Sequence, residues 1–269
     1  GSALLMRVTV LGSGSTSGVP GVGIGWGACD PENPKNQRLR PSILVEEGGK
    51  TILVDTSPDL RYQLLHTGIE RLDAVLFTHA HADHLHGLDD LRGINRAMNA
   101  PLDIHADAAT LDTITNRFPY AMDPLPETAT VYYKPTLEAH EIIPGEDYLI
   151  AGMDIRTFEQ DHGFSKTVGF RFCNFAYTTD AVELPEMAFD ILKGVHTWMI
   201  GVFTDEPHST HVHVEKALEW HARIRPARCI LTHLGPRLDY ATLARDLPTG
   251  VEPAFDFMSF DVPSSAPER

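Results

Sequence analysis

The segment Thr78-His79-Ala80-His81-Ala82-Asp83-His84 reads His-x-His-x-Asp-His. Four imidazole or carboxylate groups within six positions offer borderline and hard donors suited to zinc, iron or manganese. Three histidines gathered at a turn without a cation would leave ring nitrogens unpaired. The apolar run Leu72-Asp73-Ala74-Val75-Leu76-Phe77 precedes the segment, and a helix is expected from His84 to about Met98. The cluster therefore sits at a strand-to-helix turn.

Other candidates fall at comparable places. His162 follows Ile155-Arg156-Thr157-Phe158 and a short loop, Asp180 ends Tyr177-Thr178-Thr179, His233 ends Cys229-Ile230-Leu231-Thr232, and Asp55 ends Ile52-Leu53-Val54. Strand ends along one edge of packed sheets are where loops meet to form a site. The count suggests two metals. His79, His81 and His162 offer three nitrogens; Asp83, His84 and His233 offer two nitrogens and an oxygen; Asp180 can bridge. Two ions about 3.5–4 Å apart can hold a shared hydroxide and polarise a substrate oxygen. Asp55 has two readings. It accepts a ligand histidine's second N–H, or it caps a helix.

The elements that must position these groups are legible in outline. Arg7–Leu11 reads as a first strand, followed by the glycine-rich stretch Gly12 to Gly27. That stretch has no Gly-Lys-Ser/Thr, and Pro20, Gly21, Gly23 and Gly25 forbid the helix of a dinucleotide fingerprint. It is a flexible turn or a loop whose N–H groups and hydroxyls, Ser15 among them, line the site. Pro41–Glu46 and Lys50–Asp55 make a hairpin around Gly48-Gly49. Ser57 is expected to cap a helix with Pro58 at its first position, Leu60, Leu64 and Leu65 as its apolar stripe and Gly68 at its end. Phe118 to Pro135, rich in proline and aromatics, reads as a loop or lid. The second half is strand-rich, with helices over Leu184–Leu192, Val212–Arg225 and Tyr240–Leu247.

The chain of 269 residues is 42% hydrophobic and 22% charged, enough for a real core, and is expected to be one domain with a disordered tail from about 263. The start is too short and uncharged for a signal peptide, with Gly1-Ser2 read as an expression scar. No apolar stretch spans a bilayer. Three widely spaced cysteines give neither a disulfide framework nor a Cys-x-x-Cys zinc site. A cytoplasmic location is expected. The net charge of −15 repels long nucleic acid and anionic membrane, so any positive focus must come from metal ions. A small anionic substrate fits that arrangement, and a homodimer through the variable loop is compatible with it.

His79-x-His81-x-Asp83-His84, then His162, Asp180 and His233 in that order, resemble the metallo-β-lactamase superfamily over most of the chain. The resemblance implies an αββα sandwich with a dinuclear site. Gly12-Ser13-Gly14 with Gly18-Val19-Pro20, Gly87-Leu88-Asp89-Asp90-Leu91-Arg92, Thr179-Asp180-Ala181 and Leu231-Thr232-His233 narrow it to the phosphoribosyl 1,2-cyclic phosphate phosphodiesterase branch, near the tRNA 3′-processing ribonucleases. It assigns His79, His81 and His162 to one metal and Asp83, His84 and His233 to the other, with Asp180 shared. It also makes His211, in Ser209-Thr210-His211-Val212-His213, the proton donor, with His208 and His213 as competitors. There are departures. The early loop keeps only Cys29, and the position three after His233 is Pro236, so the branch's structural zinc is not expected. The long arm that grips tRNA is not evident.

The expectation is a dinuclear metal-dependent phosphodiesterase acting on a small nucleotide or phosphoribosyl ester, cyclic ones included. Zinc leads as the metal, with manganese and iron also suited. A hydroxide held between the ions attacks phosphorus, Asp83 orients or deprotonates it, and His211 protonates the leaving oxygen. Arg92 and Ser15 are candidate phosphate contacts, with a salt bridge to Asp89 or Glu70 as the competing fate of Arg92; His86 could lie near the second metal. The alternatives are a thioester or lactam hydrolase on the same cage and a non-catalytic metal-binding relative.

Overall fold

The computed structural model describes residues 5–263. In the first half, β1 (Leu5–Gly12), β2 (Ser42–Glu47) and β3 (Lys50–Val54) lead to α1 (Leu60–Thr67), β4 (Ala74–Leu76), α2 (Ala82–Leu85), α3 (Leu91–Met98), β5 (Leu102–Ala106), α4 (Ala108–Arg117), α5 (Pro119–Met122) and β6 (Leu137–Glu141). The second half runs β7 (Asp147–Ile150), β8 (Met153–Asp161), β9 (Lys166–Phe172), β10 (Phe175–Thr178), α6 (Glu186–Leu192), β11 (Thr197–Gly201), α7 (Val214–Ile224), β12 (Arg228–Thr232), α8 (Tyr240–Asp246), β13 (Val251–Pro253) and β14 (Ser259–Pro263). Two seven-stranded sheets result, ordered β14-β1-β2-β3-β4-β5-β6 and β13-β12-β11-β10-β9-β8-β7. β14 crosses back to pair antiparallel with β1.

The near-continuous apolar runs of the central strands follow from burial on both faces. In β2 and β3, Ile43, Val45, Ile52 and Val54 point between the sheets, while Leu44 and Leu53 point outward under the helices. The second sheet repeats the pattern. Tyr177, Met199 and Ile230 face the partner sheet, whereas Ala176, Trp198, Ile200 and Leu231 pack under the outer helices. Three apolar layers separate four layers of secondary structure, the αββα order that the resemblance implied.

Two expectations change in detail. The helix expected from His84 to Met98 is broken into α2, a 3-10 turn over Leu88–Asp90, and α3. The cause is the strand exit after β3, which docks against α2. Thr56 N donates to His84 O and Thr56 Oγ1 to Leu85 O, while Gly87 N donates to Thr56 O at 3.0 Å, outside the helical ladder. A Cβ on Gly87 would lie 1.8 Å from the Ser57 carbonyl oxygen, so only glycine admits this approach. The helix after Ser57 starts at Leu60 with Asp59 at its cap, because Ser57 Oγ accepts from Asp59 N and donates to Gln63 Oε1. Leu60 and Leu64 of its stripe are buried, but Leu65 is 66% exposed. Pro263 closes β14, and the rest of the expected tail, like Gly1-Ser2, lies outside the described residues.

Candidate metal centre

Parallel pairing sets the site. β3 runs parallel to β4 in one sheet, and β10, β11 and β12 run parallel in the other. β8 and β10 both pair antiparallel with β9 and so share a direction. The ends of β3, β4, β8, β10 and β12 therefore deliver Asp55, His79, His162, Asp180 and His233 to one edge. Two donor groups form there: His79, His81, His162 and Asp180, and Asp83, His84, Asp180 and His233, each with its donor atoms within 4.8 Å of one another. All but the exposed His81 are buried.

Asp180 spans both groups. Its Oδ2 lies 3.5 Å from His79 Nε2 and 3.5 Å from His162 Nε2, while its Oδ1 lies 3.0 Å from His84 Nε2 and 3.2 Å from His233 Nε2. Asp83 Oδ2 sits 3.2 Å from His84 Nε2 and 3.4 Å from His233 Nε2. His81 turns Nδ1 inward, 3.1 Å from His79 Nε2.

The outer partners fix the tautomers. His162 Nδ1 lies 2.7 Å from the Thr210 carbonyl oxygen, which only accepts, so that nitrogen carries the proton and Nε2 keeps its lone pair. His84 Nδ1 donates to Asp55 Oδ2 at 2.6 Å, both residues fully buried. Thr78 Oγ1 donates its one proton to the same Oδ2 at 2.7 Å, so it accepts from His79 Nδ1 at 2.9 Å. Asp55 Oδ1 takes the Thr78 backbone N–H at 2.8 Å. One carboxylate thus points the lone pairs of two histidines, one in each half, into the cage. This is the arrangement that raises ligand basicity around metals.

The residues fit a pair of cations. His233 Nδ1 is buried with no hydrogen-bond partner among the described residues, and the buried Nε2 atoms of His84 and His233 face only carboxylate oxygens of Asp83 and Asp180, outside hydrogen-bond geometry. Buried polar atoms of this kind call for a partner the protein does not supply. The electrostatics agree. Burial, then His84, pushes His79 below its ordinary value; burial, then His162, does so for His81; burial also lowers His162. Burial opposes the charged forms of His84 and His233, but Asp180 and Asp83 outweigh it and hold both above the ordinary value. Burial likewise works against ionised Asp180 and Asp83, and the surrounding histidines outweigh it, keeping both carboxyls well below the carboxylate range. The cage favours positive charge, which divalent ions supply more compactly than protons.

His211 is half-buried, its ring centroid 4.9 Å from that of His162 and 5.0 Å from that of His233. Burial, then His233, pushes its pKa down to about 3. His208 is exposed, 5.4 Å from His211 ring to ring, and His213 caps α7. His86 belongs to neither donor group; it faces Arg117, whose Nη1 lies 3.2 Å from His86 Nε2 and donates to Ala80 O at 2.8 Å. Arg92 corrects an expectation. It is exposed and lines a groove with Arg61 and Arg96 between α1 and α3, away from the cage. The break at Gly87 starts α3 afresh at Leu91, turning Leu91, Ile94 and Asn95 inward and Arg92 out. Ser15 is buried, and its neighbour Thr16 is the residue that reaches the cage, donating to Asp83 Oδ2 at 3.2 Å.

The sequence reading missed Thr16, Thr78, Thr210 and Arg38. Arg38 is 2% exposed, reaching Leu238 O at 2.6 Å, Gly235 O at 3.1 Å and Cys29 Sγ at 3.4 Å, and so ties the early loop to the segment after His233. Three of the eight non-glycine residues with positive φ among the described residues are Asp55 (66°), Asp180 (51°) and His233 (57°). Strained backbone of this kind persists where surrounding structure demands it.

The family description "Beta-lactamase superfamily domain" matches residues 50–234. Among solved structures, a diphosphatase from the PhnP family superposes with a TM-score of 0.88 at 30% identity, covering 96% of this chain and 97% of that one. Human tRNase Z, short form, shares the fold with a TM-score of 0.67 at 17% identity, over 94% of this chain and 98% of that one. An octanoyltransferase of Porphyromonas gingivalis is 34% identical over 85% of this chain, and a ribonuclease Z of Mycobacterium marinum is 27% identical over 87% of it and 88% of the relative. The chain spans 46% of the octanoyltransferase's length, and 46% of that of a Bradyrhizobium ribonuclease Z.

Proposed function

The chain belongs to the beta-lactamase superfamily and, within it, to the PhnP family, and from there we propose that its cage hydrolyses a small phosphodiester, a nucleotide or phosphoribosyl ester, cyclic ones included. The fold and the two donor groups support a metal-dependent hydrolase, and the substrate is a further step. His79, His81 and His162 would hold one divalent ion, Asp83, His84 and His233 the other, with Asp180 between them. Zinc suits the donors, as do manganese and iron. Two such ions, when bound, withdraw charge from phosphoryl oxygens and lower the barrier to attack by water.

The protein's own groups do the rest. Asp83 has one oxygen near His84 and His233 and accepts from Thr16, so its carboxylate can orient a water. Asp180 keeps the two donor groups at a fixed spacing. The observation that carries the reading is His211, whose ring packs against one histidine of each half. A group there touches whatever spans the cage. Burial and the neighbouring His233 disfavour its charged form in the metal-free protein, and an anionic phosphoryl group beside it is what would draw a proton onto it. That proton then goes to the leaving alkoxide.

The test is a panel of bis-aryl phosphates, cyclic nucleotides, thioesters and lactams assayed on metal-loaded enzyme, with His211→Ala alongside. The expected result is phosphodiester turnover that falls about 10²–10⁴-fold in the variant while metal content stays at the wild-type value. Turnover confined to thioesters or lactams, or a variant as active as wild type, refutes the reading.

A further inference from the structure

Beside the cage lies a groove of about 650 Å³ whose walls include Ser17, Trp26, Arg40, Tyr62, His66 and Phe257. That volume is in the range of small-ligand sites. It is joined to the chemistry by the loop after β1. Thr16 hydrogen-bonds Asp83, the next residue, Ser17, lines the groove, and Arg40 is close enough to feel the charge of Asp83. Its two carboxylates are committed to neighbours. Asp59 is held by Arg40 through Nε at 2.7 Å and Nη2 at 3.1 Å, and Asp256 by Ser13 N, Ser13 Oγ and Leu39 N. What stays open is ring surface, the Nη1 end of Arg40 and the side chains of Ser17 and Gln37. His66 stacks on Phe257 with centroids 3.6 Å apart and planes 9° apart, and Tyr62, 55% exposed, stands 6.0 Å and 6.2 Å from them. Phe257 holds its place at φ 65°, a conformation that bulky side chains avoid. Aromatic faces beside one guanidinium are what a flat heterocycle joined to a phosphate requires.

We propose that this groove seats the base of a nucleotide substrate whose phosphoryl group lies in the cage, so the enzyme prefers nucleotides to phosphoribosyl esters that lack a base. The proposal rests on the phosphodiester reading for the position of the phosphate but is tested apart from it. Tyr62 and His66 are exposed on α1, and neither touches the cage.

The experiment titrates adenosine 5′-monophosphate and ribose 5-phosphate into metal-loaded wild type, Tyr62→Ala/His66→Ala and Tyr62→Phe, by calorimetry and by tryptophan fluorescence, Trp26 being the one of the three tryptophans that lines the groove. The expected result is that wild type and Tyr62→Phe bind the nucleotide about tenfold more tightly than the sugar phosphate, and that the double alanine variant loses this preference with its melting temperature and sugar-phosphate affinity unchanged. Equal affinity for both ligands in wild type, or a preference that survives the double variant, overturns the groove assignment. The same variants are then assayed on a cyclic nucleotide and a base-free phosphodiester. A preference in binding without turnover of either would refute the phosphodiester reading and leave the groove standing; turnover of both with no effect of the double variant would do the reverse.

Discussion

Exchanging Asp55 for asparagine should disturb both halves of the metal cage through a change of one atom. Asp55 Oδ2 accepts two protons, from His84 Nδ1 at 2.6 Å and Thr78 Oγ1 at 2.7 Å, and Oδ1 accepts the Thr78 backbone N–H at 2.8 Å. An amide can be placed in two ways. With its NH2 at the Oδ1 position it opposes a backbone N–H, a donor that cannot reverse. With its NH2 at the Oδ2 position, both partners must become acceptors. His84 would then carry its proton on Nε2, the atom that faces Asp83 and Asp180. Thr78 would turn its hydroxyl toward His79, forcing that ring's proton onto its own cage-facing Nε2. Either route leaves at least one buried donor opposed, at about 1–3 kcal/mol, or about ten- to hundredfold in metal affinity, in line with the loss of a carboxylate behind a ligand histidine. Competition against a calibrated chelator, with elemental analysis of the dialysed protein, reads the affinity, and imidazole ¹⁵N shifts read the tautomers. Thr78→Val is the companion, since it breaks the relay to His79 and leaves the Asp55–His84 bond in place; its deficit should be the smaller. Asp55→Asn with wild-type affinity for both ions and unshifted tautomers would refute the reasoning.

Asp180→Asn should bind at least one fewer ion per chain by elemental analysis, because each carboxylate oxygen faces a different donor group; two ions retained at full affinity would contradict the bridging role. Gly87→Ala places a Cβ 1.8 Å from the Ser57 carbonyl oxygen and should lower stability in denaturant melts by at least the ~1–3 kcal/mol usual for overpacking. His105, stacked on His140, is pushed by burial, then by His140, from 6.5 down to about 4. Because the unfolded chain takes this proton first, the His105 contribution is full above about pH 6.5 and is lost as pH falls toward 4. His105→Gln should therefore shrink the drop in urea midpoint between pH 7 and pH 5; an unchanged drop would show that other groups carry it.

Much of this site was open to reading in the sequence because strand-end chemistry is local. His79, Asp180 and His233 each follow an apolar run whose two faces are both buried, and a run of that kind announces where its strand stops. Contacts between distant segments were closed to reading. The direction in which Arg92 projects was one of these, since nothing near residue 87 shows that Thr56 would take the α2 carbonyls and break the helix expected from His84. Arg38 is an ordinary charged residue in the sequence, and only the fold reveals it buried between Cys29 and the segment after His233. Tautomers were equally hidden, since they depend on Thr78 and Thr210, residues with no metal-binding chemistry of their own.

The left-handed backbone at Asp55, Asp180 and His233 explains why these three strands stop at a common level. A β-branched or bulky residue resists positive φ, whereas asparagine, aspartate and histidine are over-represented there. Each such residue turns the chain out of its strand within one step, so a side chain that would have alternated between the sheet faces is aimed along the edge instead. The conformation costs about 1–3 kcal/mol at each position, and the hydrogen bonds to Asp55, together with Thr179 Oγ1 donating to Asp180 Oδ1 at 2.8 Å, offset part of it. Replacing Asp180 by glutamate would test this account, because the longer side chain keeps the charge but not the reach. If the strand exit fixes the spacing of the two donor groups, that variant should bind metal more weakly than its unchanged charge suggests; full binding would mean the cage adjusts to its bridge and the backbone does not set it.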